Sequence, residues 1–353
     1  MGNIGLKTGD TMTTTSFFKF LGKLQKNLAI SIPAFMILGV LAGSFFNVSA
    51  LKGLILPLTF FMVYPMMVTM DLKSLLKKTN TKLQVTTQLV NFILMPAVGY
   101  LIATTFFKDQ PYLVLGILLT SLLPTSGMTI SWTGMAKGNI QEAVKMTVIG
   151  LILGSVLAPF YLVFFLGTSI SIPMTDIARQ ILIVVFLPML AGYVTQRELI
   201  RRHGAEKFQK VYKTRFPLIS TLGVLMIVFI AVALRAKILV SSPALVLQLL
   251  VPLVLIYILN FTLSTLIGRF MFKREDAIAL IYGTVMRNLS ISLAIAMTAF
   301  GAQGAEAVLV ISLAFVIQAQ AAAWYVKLFS RFYPAKAEPG KAADGLLQAT
   351  TSK

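Results

Sequence analysis

The sequence contains no cysteine in 353 residues, so disulfides, thiolate metal sites and thiol redox chemistry are excluded. Histidine occurs once, as His203, and acidic residues number 12 against 31 Lys and Arg. Charged residues of all kinds make up only 12% of the chain, apolar ones 57%, and mean hydropathy is +0.84. Those proportions describe a polytopic membrane protein, an integral component of a bilayer. The chain also lacks a Ser/Gly/Pro-rich linker or low-complexity tract long enough to separate domains. His203 lies in the basic stretch Arg201-Arg202-His203-Gly204, where it reads as solvated loop.

What is present is a succession of apolar runs. Ten stretches reach the roughly 20 residues that a crossing helix needs. They fall at about 28–47, 51–70, 85–107, 112–135 and 143–167, then 177–195, 216–234, 243–268, 277–299 and 305–326. The expected architecture is all-α, with residues 28–167 as one five-helix repeat and 177–326 as a second. A unit with an odd number of crossings repeats in inverted orientation, the arrangement that underlies alternating access. Residues 1–27 form a polar N-terminal segment in which 16–21 suit a short interfacial helix, and 334–353 read as a disordered tail. The apolar run after residue 27 is too long for a typical signal h-region, so Val48-Ser49-Ala50 is not expected to be cleaved.

A net charge of +19 could suggest nucleic acid, but the basic residues flank apolar spans. With both termini on one side, only Lys52, Lys108, Arg179, Arg235 and Lys237 fall on the other. The bias is that of a plasma-membrane protein with cytoplasmic termini. No nucleic-acid partner is expected, and the oligomeric state is left open.

With span ends placed to within about three residues, Arg287 is the one formally charged side chain in the interior of a span. A guanidinium stays ionised in essentially any protein environment, and holding it near the bilayer centre costs at least roughly 2.5–3.5 kcal/mol. No Asp or Glu occupies a span interior, so its partner is either backbone carbonyls or an anionic solute arriving from water. The same lack of Asp, Glu, His and Cys argues against an intramembrane enzyme, a metal site or a side-chain proton relay, and no Gly-rich phosphate loop or other cofactor motif is seen.

The fourth span is interrupted at Leu123-Pro124-Thr125-Ser126-Gly127-Met128 and the ninth at Val285-Met286-Arg287-Asn288-Leu289-Ser290. Proline and glycine favour a broken helix, and facing breaks near the midplane would expose half-helix termini to a solute. The candidate solute-binding set is Arg287, Asn288, Ser290, Thr125, Ser126, Asn91, Thr129 and Met128. For the hydroxyls the competing role is close helix packing, and for Met66, Met67, Met128 and Met286 it is core filling.

At these segments the chain resembles the bile acid/sodium symporter superfamily, most nearly its arsenite efflux branch. The resemblance rests on Pro124-Thr125-Ser126-Gly127-Met128, Trp132-Thr133 and Lys137-Gly138-Asn139, on Asn91 to Pro96, and on Arg287-Asn288 with Leu293 to Ala296 and Phe300-Gly301. It implies ten spans with crossing broken helices four and nine, and a secondary transporter. The arsenite branch carries a cysteine where this chain has Thr125 and a glutamate where it has Ser290. Sodium-coupled relatives carry an asparagine at the position of Ile130, a glutamate at Gly283 and a glutamine at Arg287. The expectation is therefore transport of a small anion without sodium coupling. The alternative is efflux of arsenite or a related metalloid held by hydroxyl and thioether groups.

Overall fold

The structure is a computed structural model that describes residues 9–76, 78–169, 174–234, 236–241 and 244–332. The expected disordered tail at 334–353 lies outside the described residues. Every regular element among the described residues is helical. The helices are α1 (Gly9–Lys26), α2 (Leu28–Phe45), α3 (Ile55–Val68), α4 (Thr81–Phe106), α5 (Pro111–Leu122), α6 (Gly127–Met135) and α7 (Ile140–Leu166). They continue with α8 (Ile177–His203), α9 (Ala205–Leu234), α10 (Ala236–Ser241), α11 (Ala244–Met271), α12 (Arg274–Val285), α13 (Leu289–Ala299) and α14 (Gly304–Phe332).

Helix occupies each of the ten stretches marked by hydropathy. Among the described residues, α4, α7, α8, α9, α11 and most of α14 are individually long and apolar enough to cross a membrane. Pro57–Val68, α5 and α13 are shorter apolar helices. The two shortfalls that matter are the interruptions themselves. Span four is divided into α5 and α6 around Leu123 to Ser126, and span nine into α12 and α13 around Met286 to Asn288.

One expectation changes at the end of a span. The stretch 196–203, read as loop, continues α8, and Glu198 pairs with Arg201 at 2.8 Å and with Arg202. Spacings of three and four residues support helix there, and His203 ends that helix, exposed, with its ring 5.3 Å from Tyr212. Glu142 and Lys145, in the first turns of α7, are buried. The carboxylate of Glu142 accepts from Asn80 N at 3.0 Å, Thr79 Oγ1 at 2.9 Å and Gln84 Nε2 at 2.6 Å, while Lys145 Nζ donates to the Lys78 carbonyl at 2.6 Å. Hydrogen-bonded satisfaction by neighbouring turns is what lets these ions leave water.

Helices α2, α3, α8 and α9 pack together, and α4 to α7 pack with α11 to α14 around both interruptions. At the α4 and α7 starts, Asn80 and Asn139 are N-caps, accepting from Leu83 N at 3.2 Å and Glu142 N at 3.2 Å. Asp276, in the first turn of α12, receives the side-chain amides of both asparagines, at 2.9 and 2.8 Å. One carboxylate thus ties the starts of three helices, each contact satisfying or orienting a terminal group.

Candidate functional site

Span four breaks for local reasons. Pro124 has no N–H to donate, and Thr125 takes a left-handed backbone conformation with φ of 61°, costly for a β-branched residue. That cost is met by packing. A side-chain carbon at Gly150 would lie 2.6 Å from Thr125 Oγ1, and one at Gly154 would lie 3.1 Å from Pro124 Cδ. The small residues of Gly150-Leu-Ile-Leu-Gly154 on α7 therefore make the recess in which the Pro124–Thr125 corner sits.

The two interruptions pair with each other. Thr125 N donates to the Met286 carbonyl at 2.7 Å and Asn288 N to the Leu123 carbonyl at 2.8 Å, giving an antiparallel bridge between Pro124 and Arg287. Backbone groups freed by each broken helix are satisfied by the other, as buried main chain requires. Gln318 of α14 completes the arrangement. Its Oε1 accepts from Arg287 N at 2.8 Å and from Tyr257 Oη at 3.1 Å, and its Nε2 donates to the Arg287 carbonyl at 3.4 Å.

The Arg287 side chain is 3% exposed. Its Nη1 donates to Asn91 Oδ1 at 3.2 Å and to the Ser121 carbonyl at 3.3 Å. Asn91 lies in a π-helical turn of α4, Val90–Leu94, and donates through Nδ2 to the Gly283 carbonyl at 3.0 Å. The guanidinium therefore faces the C-terminal turn of α5 directly and that of α12 through Asn91. Both are helix ends of partial negative charge. Nη2 is buried without a hydrogen-bond partner among the described residues. An unsatisfied charged donor is expensive, and no carboxylate of the described residues hydrogen-bonds Arg287.

The remaining candidates divide by what they bond. Ser126 caps α6, accepting from Met128 N at 3.3 Å, and its own N–H donates to Thr129 Oγ1 at 3.1 Å. Asn288 caps α13 through Oδ1, which accepts from Ile291 N at 3.3 Å. Thr125 Oγ1 donates toward carbonyls, of Pro124 at 2.7 Å and, at longer range, Thr147 and Met146 of α7. Ser290 is buried beside them on α13 and Met128 is half-buried on α6. Asn91, Thr125, Ser126, Thr129, Arg287 and Asn288 thus meet at the crossing, most of them engaged in maintaining it.

Sequence reasoning missed Gln318, Tyr257 and a second asparagine. Asn260 of α11 donates to the Thr284 carbonyl at 3.0 Å, one residue beyond the carbonyl held by Asn91, and accepts from Ser264, which also meets Thr284 Oγ1 at 2.6 Å. Their signal was a carboxamide inside an apolar run, Gln318 in Phe315-Val316-Ile317-Gln318 and Asn260 in Ile258-Leu259-Asn260-Phe261.

Burial around the crossing is uneven. Leu113 to Leu122, Ala277 to Val285 and Leu289 to Met297 are all buried. On α6 only Thr129 and Thr133 are, while Gly127, Ser131 and Met135 are exposed. Trp132 stacks on Tyr282 with ring centroids 6.4 Å apart and holds the opposite flank of α6 against α12.

Comparison with known proteins places this architecture. The chain is 25% identical over 258 residues to an "Arsenical-resistance protein Acr3" of Alkaliphilus metalliredigens, covering 67% of this chain and 72% of that one. A protein of the same name from Corynebacterium glutamicum is 23% identical over 241 residues, 65% of each chain. "Sodium/bile acid cotransporter 7-A" of Xenopus laevis is 27% identical over 153 residues, 42% of this chain and 43% of the relative. The model of the Sodium Bile acid symporter family matches residues 56–242, a stretch that includes Asn91 and the whole first interruption. The chain therefore belongs to the sodium bile acid symporter family, as an integral membrane transporter and not an enzyme.

Proposed function

We propose that this transporter moves a small anionic solute by alternating access, without sodium coupling, through ten spans arranged as two inverted five-helix repeats. The observation that carries the reading is the buried Arg287 Nη2, a charged donor with no partner among the described residues. An anionic oxygen would satisfy it and offset the cation in a low-dielectric setting. The hydroxyls of Ser126 and Ser290, the amide of Asn288 and the first turns of α6 and α13 surround the same crossing. Their positive helix ends favour the same sign of charge.

Two features argue against a sodium ion. The guanidinium repels a second cation. At Gly283, where the resemblance to sodium-coupled relatives implies a glutamate, a side chain would meet Met146 Sδ at 2.7 Å. The space for that carboxylate is filled by a thioether. The cytoplasmic placement of both termini follows from the distribution of Lys and Arg. In that orientation α6 lies in the cytoplasmic half of its span, and expelling a monoanion from a negative interior gains about 2.3 kcal/mol per 100 mV.

The second reading, efflux of arsenite or a related neutral metalloid, is favoured by the names of the two arsenical-resistance relatives. Flux in proteoliposomes separates the two. Small carboxylate or sulfonate flux should follow its own gradient and the membrane potential, ignore imposed sodium and proton gradients, and fall at least about tenfold in Arg287→Gln, the loss of one charge-assisted contact of about 1.4 kcal/mol or more. Flux that needs a sodium gradient overturns the uncoupled mechanism. Arsenite flux that survives Arg287→Gln while no anion moves replaces the anion reading with the metalloid one.

A further inference from the structure

The first described helix carries three kinds of surface on one cylinder. Leu21 is buried, Phe18, Gly22 and Gln25 are half-buried on the same side, and Gln25 Nε2 reaches the Pro217 carbonyl of α9 at 3.4 Å. This face docks α1 on α9. Phe17 and Phe20, spaced three apart, are 48% and 58% exposed, with half-buried Leu24 continuing their stripe. Lys19, Lys23 and Lys26, spaced four and three apart, form a separate exposed stripe. At 100° per residue the three stripes stand roughly 100–130° apart around the axis.

Arg215 adds a fourth cation, its guanidinium lying 5.1 Å from the Phe18 ring centroid. No ion pair involves Lys19, Lys23, Lys26 or Arg215 among the described residues. Among the described residues the basic stripe thus has no counter-charge, beside an aromatic stripe that water would penalise.

We propose that α1 is an interfacial anchor for anionic lipid, with Phe17 and Phe20 in the acyl boundary and Lys19, Lys23, Lys26 and Arg215 on headgroup phosphates. The docked face fixes which stripe points into the bilayer. A helix held on its flank by α9 has only its remaining two surfaces to offer, one apolar and one cationic, and a bilayer surface presents the complementary pair. A neutral headgroup would satisfy the aromatic stripe alone. The occupant of the basic stripe is therefore the phosphate of a lipid with net negative charge, such as phosphatidylglycerol.

The absence of cysteine makes the test direct. A nitroxide on Phe20→Cys, the sole thiol, is compared in vesicles of phosphatidylcholine with and without phosphatidylglycerol. The label should collide with oxygen in preference to an aqueous nickel complex, most strongly with phosphatidylglycerol present. Replacing Lys19, Lys23 and Lys26 together by Gln should abolish that lipid dependence. A label wet in both vesicles overturns the anchor, and immersion that ignores phosphatidylglycerol overturns the anionic selection.

A second measurement avoids any change in the aromatic stripe. In detergent, titrated phosphatidylglycerol should raise the unfolding temperature of the unmodified protein more than phosphatidylcholine does. The triple Lys→Gln variant should lose the difference, with its apparent affinity for phosphatidylglycerol down roughly tenfold or more. Equal responses of the two proteins overturn the proposal.

Discussion

At the scale of the residue, Arg287 shows how a permanent cation is held inside an apolar bundle. One terminal nitrogen meets Asn91 and the end of α5, while the other has no hydrogen-bond partner among the described residues. If Asn91 serves the guanidinium, its removal matters most while the charge is there. Asn91→Ala should destabilise the protein by about 1.5–3 kcal/mol, and by clearly less in an Arg287→Gln background, as read from the coupling in a thermal or denaturant double-mutant cycle. Additive effects would mean that Asn91 acts only on the Gly283 carbonyl.

That Arg287 would be a charge buried in an apolar stretch was legible from hydropathy alone. Backbone carbonyls were among its expected partners, but not which one, and Asn91 could not be matched to it because nearly two hundred positions separate the two. Gln318 was passed over for a related reason. A single amide in an apolar run is ordinary until the peptide group it completes is seen. Thr125 stood out by its place after Pro124, yet its hydroxyl turns toward α7, a direction set by a left-handed backbone that composition does not announce.

At the scale of the element, the interruption of span four depends on the helix behind it. Gly150 and Gly154 leave the volume that Pro124 and Thr125 fill. Gly150→Ala places a methyl against Thr125 Oγ1 and should cost about 1–3 kcal/mol of stability. Adding Thr125→Ala should recover part of that loss in the same unfolding measurement, since the obstructing oxygen is gone. No recovery would show that α7 is displaced from more than the threonine.

Proline, glycine and the matched polar run marked the position of both breaks to within a residue or two. They could not reveal that each break completes the other, since the reciprocal bonds from Thr125 and Asn288 are main-chain contacts that most side chains permit. The helical continuation through 196–203 was misread because charge was taken for loop. There, acidic and basic residues at helical spacing were the better guide.

At the scale of the whole molecule, three of the four half-helices at the crossing are enclosed and α6 alone shows an outer face. Alternating access predicts that this asymmetry reverses as the protein works. In the cysteine-free background, Ser131→Cys should react with an impermeant maleimide supplied from the cytoplasmic side, and Ser292→Cys should be protected. Transported solute should change the two rates in opposite directions. Rates that stay fixed with solute present would argue for a static pore.

The reciprocal strapping of the two interruptions has a consequence for ancestry and engineering alike. Because Leu123 and Met286 lend their carbonyls to the opposite break, neither crossover is a self-sufficient module. A hybrid that takes residues 28–167 from one homologue and 177–326 from another must keep the two breaks in backbone register at this seam. A shift of either break along the chain needs a matching shift of the other.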